Sequence, residues 1–201
     1  MQQFYIKVFG CEYNEWEASR ISFLLHNLGL NEAAEDRAEI IVVLLCSVRK
    51  TAVDKALGKI RNWSDKKVII TGCLLPTDQP NFLKKNACFW DGKNIEELQG
   101  LLGVNKLIVS QSSFHNTSSN LIPIMKGCNN FCSYCVVPYT RGREVSRNLE
   151  EILKDAKTLI DSGHKEILLL GQNVNSYEYG FSDLLRRIND IPGDFTVKFT
   201  S

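Results

Sequence analysis

Two textures alternate along the first hundred positions. Short apolar runs, Phe4 to Gly10, Ile40 to Leu45 and Lys67 to Gly72, read as strands, and between them apolar positions recur at helical spacing. The first such stretch has Asn14 as a candidate N-cap with Glu17 three residues on, then Ile21, Leu24, Leu25 and Leu28 on one face and Gly29 as a stop. The second places Ala52, Val53, Ala56, Leu57 and Ile60 on one face. A strand near Ala87 to Trp90 and a helix near Ile95 to Leu102 complete this unit. Strands alternating with helices predict a parallel sheet in an α/β domain over 1–103.

The polar run QSSFHNTSSN ends a segment, 104–119, that reads as a linker. The pattern then restarts over 120–201: strand Leu121 to Met125, a long loop, helix Leu149 to Asp161, strand Glu166 to Leu170, helix Phe181 to Ile191 and strand Phe195 to Thr200. Leu149, Ile152, Leu153, Ala156, Leu159 and Ile160 share a face of the first helix, with Asn148 and Glu151 able to cap its start and Gly163 its end. This βαβαβ order opens a barrel or a wound sheet. The chain stops at Ser201 as a third strand finishes, so a fragment of a longer protein is expected.

The 201 residues are 44% hydrophobic and 23% charged, enough for a real core and against disorder. No run reaches the roughly 18 apolar residues of a membrane span, and the N-terminus lacks a signal pattern, so a cytoplasmic protein without membrane association is expected. A formal net charge of +1 carries no overall signature of nucleic-acid binding. Seven cysteines, an odd number without an export signal, argue for metal ligation or reactivity over disulfides, and three histidines disfavour a His-rich zinc site.

Six of the seven cysteines fall into two sets. Cys128, Cys132 and Cys135 lie in KGCNNFCSYCVVPYTRG at C-x3-C-x2-C spacing, directly after a strand. Three thiolates on one loop suit three irons of a four-iron, four-sulfur cubane and leave the fourth iron open. A zinc knuckle or three core cysteines is the alternative, but Asn129, Asn130 and Ser133 make this a poor core segment. Cys11, Cys46 and Cys73 each close an apolar run, YIKVFGC, IIVVLLC and VIITGC. Singly each reads as a small buried residue; together, at the carboxyl ends of parallel strands, they would converge on the sheet edge where α/β folds place ligands. A second cluster is expected there, while Cys88 is left to the core of a strand.

With Tyr134 before Cys135, the loop resembles the C-x3-C-x-aromatic-C signature of the radical S-adenosylmethionine (SAM) superfamily. That resemblance implies an open iron that binds the amino and carboxylate groups of SAM, and reductive cleavage to a 5'-deoxyadenosyl radical. CSVRKTA from 46, TGC from 71, GCNNFCSYCVVPYTRGREVSR from 127 and LLGQNVNSY from 169 extend the likeness over nearly the whole chain to the radical SAM methylthiotransferase family. Its fold would be an N-terminal parallel α/β sandwich followed by an incomplete radical SAM (β/α) barrel.

The family implies two 4Fe-4S clusters, on Cys128, Cys132 and Cys135 and on Cys11, Cys46 and Cys73, with two SAM molecules used per product and both open irons facing one cavity. The first makes the radical; the second holds the sulfur delivered to carbon 2 of an adenosine beside the tRNA anticodon. Tyr134 is expected near the SAM adenine, and Gln172 and Asn173 as SAM contacts, with loop capping the alternative for the last two. Four basic residues, Lys126, Arg141, Arg143 and Arg147, face one acid, Glu144, between 126 and 147, which suits phosphate or the SAM carboxylate, or else a solvated loop. Expected partners are the tRNA anticodon loop and an electron donor such as a flavodoxin or ferredoxin, acting on a monomer.

VVPYTRGREVSR and GQNVNSY favour the branch acting on isopentenyl-modified adenosine over the threonylcarbamoyl-adenosine and ribosomal-protein branches. A non-catalytic iron-sulfur or zinc fragment is the rival of another class. Two departures stand out. Glu12 and Tyr13 follow Cys11 where the family more often has Gln and Met, and the remaining barrel strands and C-terminal RNA-binding domain are absent from the sequence, so this piece by itself is expected to be inactive.

Overall fold

The computed structural model describes residues 2–83, 87–104 and 119–200, so most of the expected linker lies outside the described residues. The chain divides into two compact units, Met1–Phe114 and His115–Ser201.

In the first unit, β1 (Gln3–Phe9), β2 (Asn31–Glu32), β3 (Ile40–Cys46), β4 (Lys67–Cys73) and β5 (Ala87–Phe89) form one sheet in the order β2-β1-β3-β4-β5. All four pairings are parallel. Every residue of β3 is buried, as a central strand covered on both faces requires. Its even positions, Ile40, Val42 and Leu44, pack with Ile21, Leu24 and Leu25 of helix α1 (Glu12–Asn27) and Leu98 of a later helix, Ile95–Leu102. Its odd positions, Ile41, Val43 and Leu45, pack with Ala52, Val53, Ala56 and Ile60 of α2 (Lys50–Ile60). The short α3 (Gln79–Leu83) adds Phe82 to the second layer, and α4 (Ile95–Leu102) completes the first.

The helix boundaries differ from expectation at one informative place. Cys11, not Asn14, is the N-cap of α1, and Asn14 is its N3 residue, accepting a hydrogen bond from the Cys11 backbone N–H at 3.3 Å. The chain can turn straight from β1 into the helix because Cys11 keeps extended backbone angles (φ −104°, ψ 178°), so the helix begins three residues earlier than expected. Gly29 ends it as expected, at φ +89°. Cys88 lies in β5 but is only half-buried, because β5 is the edge of the sheet.

The second unit is an open three-stranded parallel sheet, β10-β9-β6, formed by β6 (Leu121–Pro123), β9 (Glu166–Leu170) and β10 (Thr196–Thr200). No closed barrel is formed among the described residues. Helices α6 (Leu149–Asp161) and α7 (Phe181–Asn189) bury Ile152, Ala156, Leu159, Leu184 and Ile188 with Ile122, Ile167 and Leu169. Asn148 caps α6 by accepting from the Glu150 N–H at 2.9 Å, while the Glu151 carboxylate lies 4.0 Å from Arg147. The expected strand to Met125 is split. After Pro123 the chain leaves the sheet, and β7 (Met125–Lys126) pairs antiparallel with β8 (Val145–Ser146). A four-residue helix, α5 (Val137–Thr140), lies in the loop between them.

Leu44 is fully buried in the middle of the first unit, so Leu44→Ala should cost about 2–5 kcal/mol of unfolding free energy in denaturant titrations. In the second unit the Tyr177 hydroxyl donates to the Arg147 carbonyl at 2.8 Å, and burial, helped by Tyr179, pushes its pKa up from 10.0 to about 12. The unfolded chain releases this proton first, so the stability it contributes is whole below pH ~10 and is lost as pH rises through ~12. Tyr177→Phe should lose about 0.5–1.5 kcal/mol at neutral pH and show a shallower decline in denaturation midpoint between those limits than the unsubstituted chain.

Candidate functional site

In the first unit the parallel register decides where the cysteines lie. Cys46 and Cys73 are direct register partners at the ends of β3 and β4, and in-register neighbours of a parallel pair present their side chains on the same side. Alternation along β3, which sends Ile40, Val42 and Leu44 toward α1, carries Cys46 to that side too. Phe9 is level with Leu45, so β1 ends at the same edge, and Cys11 follows two residues later at the head of α1. Both exits beyond the pair are tied together by Ser47. Its backbone N–H donates to the Cys73 carbonyl at 2.9 Å, and its hydroxyl oxygen accepts from the Leu75 N–H at 3.1 Å.

Cys46 and Cys73 are buried and Cys11 is half-buried. The Cys11 thiol donates to Asn14 Oδ1 at 3.3 Å, and Asn14 is fully buried. Two glycines directly precede cysteines here. A Cβ on Gly10 would stand 2.5 Å from Asn14 Oδ1; one on Gly72, which has φ +102°, would stand 2.6 Å from the Leu45 carbonyl. Neither position tolerates a side chain, so the backbone closes on the buried amide. Asn14 and Ser47 escaped the sequence reading as members of this site. Their only sequence signal is adjacency: Asn14 is three residues beyond one cysteine and Ser47 is next to another.

In the second unit Cys128, Cys132 and Cys135 share the loop whose base is closed by the β7–β8 ladder. Cys128 is buried, Cys135 half-buried and Cys132 exposed. Gly127 enters the loop at φ +82°, and a Cβ there would collide with the Arg143 carbonyl from the returning limb. The two limbs are stitched by the Cys128 N–H donating to the Gly142 carbonyl at 3.2 Å and the Glu144 N–H donating to Asn129 Oδ1 at 3.2 Å. Phe131, at φ +47°, carries the Arg143 guanidinium 4.2 Å from its ring centre and meets Tyr139 edge-on. These contacts hold the peptide between the first two cysteines in a left-handed turn a non-glycine residue rarely adopts.

Of the residues expected to contact SAM, Gln172 accepts from the Gly127 N–H through Oε1 at 2.7 Å, which fixes the residue before Cys128 from the loop after β9. Asn173 begins a short 3-10 helix, Val174–Ser176, with its carbonyl accepting from the Ser176 hydroxyl at 3.0 Å. Tyr134 is 88% exposed beside Cys135. The basic excess of this segment is partly neutralised. Arg147 donates to the Pro123 carbonyl at 2.9 Å and to Asp155 at 2.8 Å, and Arg141 is buried, so neither stands as a solvated phosphate contact.

Among the described residues no three His, Cys, Asp or Glu side chains gather as they would on a single metal ion. A cubane needs a different arrangement, with thiolates spread over separate irons. The donor chemistry suits that group: soft thiolates in threes, each set on one short loop or one sheet edge. No helix among the described residues is long and apolar enough to cross a membrane.

Residues 3–90 match the uncharacterized protein family UPF0004, and residues 122–201 match the radical SAM superfamily. Over 98% of its length the chain is 34% identical to a tRNA-2-methylthio-N(6)-dimethylallyladenosine synthase of Clostridium tetani, covering 51% of that protein. The synthase of the same name from Syntrophus aciditrophicus is 37% identical over 98% of the chain and 50% of its own length, and that of Actinobacillus succinogenes 33% identical over the whole chain and 50% of its own. The chain thus spans about half the length of the curated relatives it matches. Aligned with these synthases through both matched regions, in their order and nearly end to end, the chain belongs to the radical SAM methylthiotransferase family.

Proposed function

We propose that this chain serves the transfer of a methylthio group to carbon 2 of an isopentenyl-modified adenosine next to the tRNA anticodon. Membership of the radical SAM superfamily implies one 4Fe-4S cluster and SAM. Cys128, Cys132 and Cys135 are its proposed ligands, and Cys11, Cys46 and Cys73 the ligands of a second cluster. When bound, the two groups would supply one-electron cleavage of SAM and a site for the sulfur that is delivered. An electron donor of the flavodoxin or ferredoxin class and a tRNA anticodon loop are the proposed partners.

The observation that carries the reading is the in-register pairing of Cys46 with Cys73 at the sheet edge where β1 delivers Cys11, in a chain that also holds the closed C-x3-C-x2-C loop. This chain's own residues have definable tasks. Asn14 accepts from the Cys11 thiol, and Ser47 ties the backbone after Cys46 to that at Cys73; Gln172 and the β7–β8 ladder fix the backbone where the Cys128 loop begins. The exposed Tyr134 and the half-buried Gln172 and Asn173 remain the proposed SAM contacts.

Nucleoside mass spectrometry on tRNA from a strain lacking the gene tests the substrate. Loss of the methylthio mark from isopentenyladenosine is expected; loss from the threonylcarbamoyl nucleoside alone would overturn the choice. Anaerobic reconstitution tests the ligands: the chain should take up about eight irons, Cys132→Ala about four with loss of SAM cleavage, and Cys46→Ala about four with SAM cleavage retained. Bound zinc in place of iron would instead support a non-catalytic fragment.

A further inference from the structure

The side-chain amide of Asn14 is only half used. Its oxygen accepts from both the backbone N–H and the thiol of Cys11, at 3.3 Å each. Its nitrogen, Nδ2, is buried and has no hydrogen-bond partner, although the residue as a whole is fully removed from solvent. A helix cap requires only the oxygen; serine, threonine or aspartate would serve that purpose without burying an idle donor. The nitrogen therefore needs an explanation that capping does not supply.

Its surroundings indicate one. Nδ2 lies 3.0 Å from where a Cβ on Gly72 would be, and Gly72 precedes Cys73, the register partner of Cys46. The oxygen end of the same amide reaches Cys11. Gly10 and Gly72, one before each of two cysteines, are bare where the amide lies between them. The group therefore runs from Cys11 to the end of β4, which carries Cys73 beside its register partner Cys46 on β3.

We infer that Asn14 is a positioning residue of this three-cysteine edge: its oxygen aims the Cys11 thiol, and its nitrogen donates to an anionic sulfur, thiolate or sulfide, bound among Cys11, Cys46 and Cys73. The inference rests on the reading of those three cysteines as cluster ligands. An N–H donor on cluster sulfur stabilises the reduced, more negative state and raises the reduction potential. Aspartate at this position keeps the acceptor for the Cys11 N–H and removes the donor; leucine removes both and adds no charge.

The test uses the full chain with Cys128, Cys132 and Cys135 changed to alanine, so that iron can enter only the other site. It should bind about four irons; if it binds none, the ligand reading fails and takes this inference with it. With iron bound and the asparagine side chains labelled with 15N, pulsed EPR of the reduced cluster should show a 15N coupling that disappears in Asn14→Asp. Potentiometry should show the ratio of reduced to oxidised cluster at fixed potential falling about tenfold in Asn14→Asp and Asn14→Leu alike, or about 59 mV for a one-electron couple. No 15N coupling in the unsubstituted Asn14 protein, or a shift with aspartate but not with a folded leucine variant, would overturn the inference. Should the leucine variant fail to fold, the 15N coupling decides alone.

Discussion

The candidate chemistry of the first unit depends on the register of β3 against its two neighbours. A strand buried on both faces cannot slip by one residue without exchanging its two packing layers, here the α1 layer and the α2 layer. That constraint holds Cys46 level with Cys73 and Phe9 level with Leu45. Parallel pairing then delivers all three strand ends to one edge, which antiparallel strands in the same order would not do. The bulk of Ile40, Val42, Leu44, Ile41, Val43 and Leu45 thus acts on the site through distance, by leaving the thiols one place to be.

The second unit holds its cysteines by another means. The loop from 127 to 144 has no register to inherit, so it is closed by a two-residue ladder, by Gly127 packed against the Arg143 carbonyl, and by Gln172 from the loop after β9. Arg147 and Tyr177 extend this bracing. Arg147 links the end of β6 to α6 through Pro123 and Asp155, and Tyr177 holds the Arg147 carbonyl. A short ladder and side-chain hydrogen bonds from neighbouring segments do here what sheet register does in the first unit. The thiols, graded from buried Cys128 to exposed Cys132, keep an accessible side.

Legibility followed the range of the interaction. Helices α1, α2, α4 and α6 were readable because apolar residues three and four apart meet within one element. The start of α1 was misplaced because Asn14 looks like a cap in isolation. Only the closed geometry around Gly10 and Gly72 makes it the N3 partner of Cys11. The β7–β8 ladder joins residues some twenty positions apart through backbone groups, and two-residue strands carry no periodicity. Arg147 read as a free cation for the same reason: Asp155 lies two turns into a helix that the charge count treats as separate.

By itself the sequence determined that this is an alternating α/β chain, that three cysteines share one loop, and that three more end apolar runs, since these are statements about spacing along a covalent chain. Tertiary structure alone decided that Cys46 and Cys73 are register partners, that an amide is buried between Cys11 and Gly72, and that Gln172 reaches the backbone before Cys128. Those are distances between segments far apart in the chain. They exist only once burial of the two apolar layers has paid the entropy of bringing the segments together.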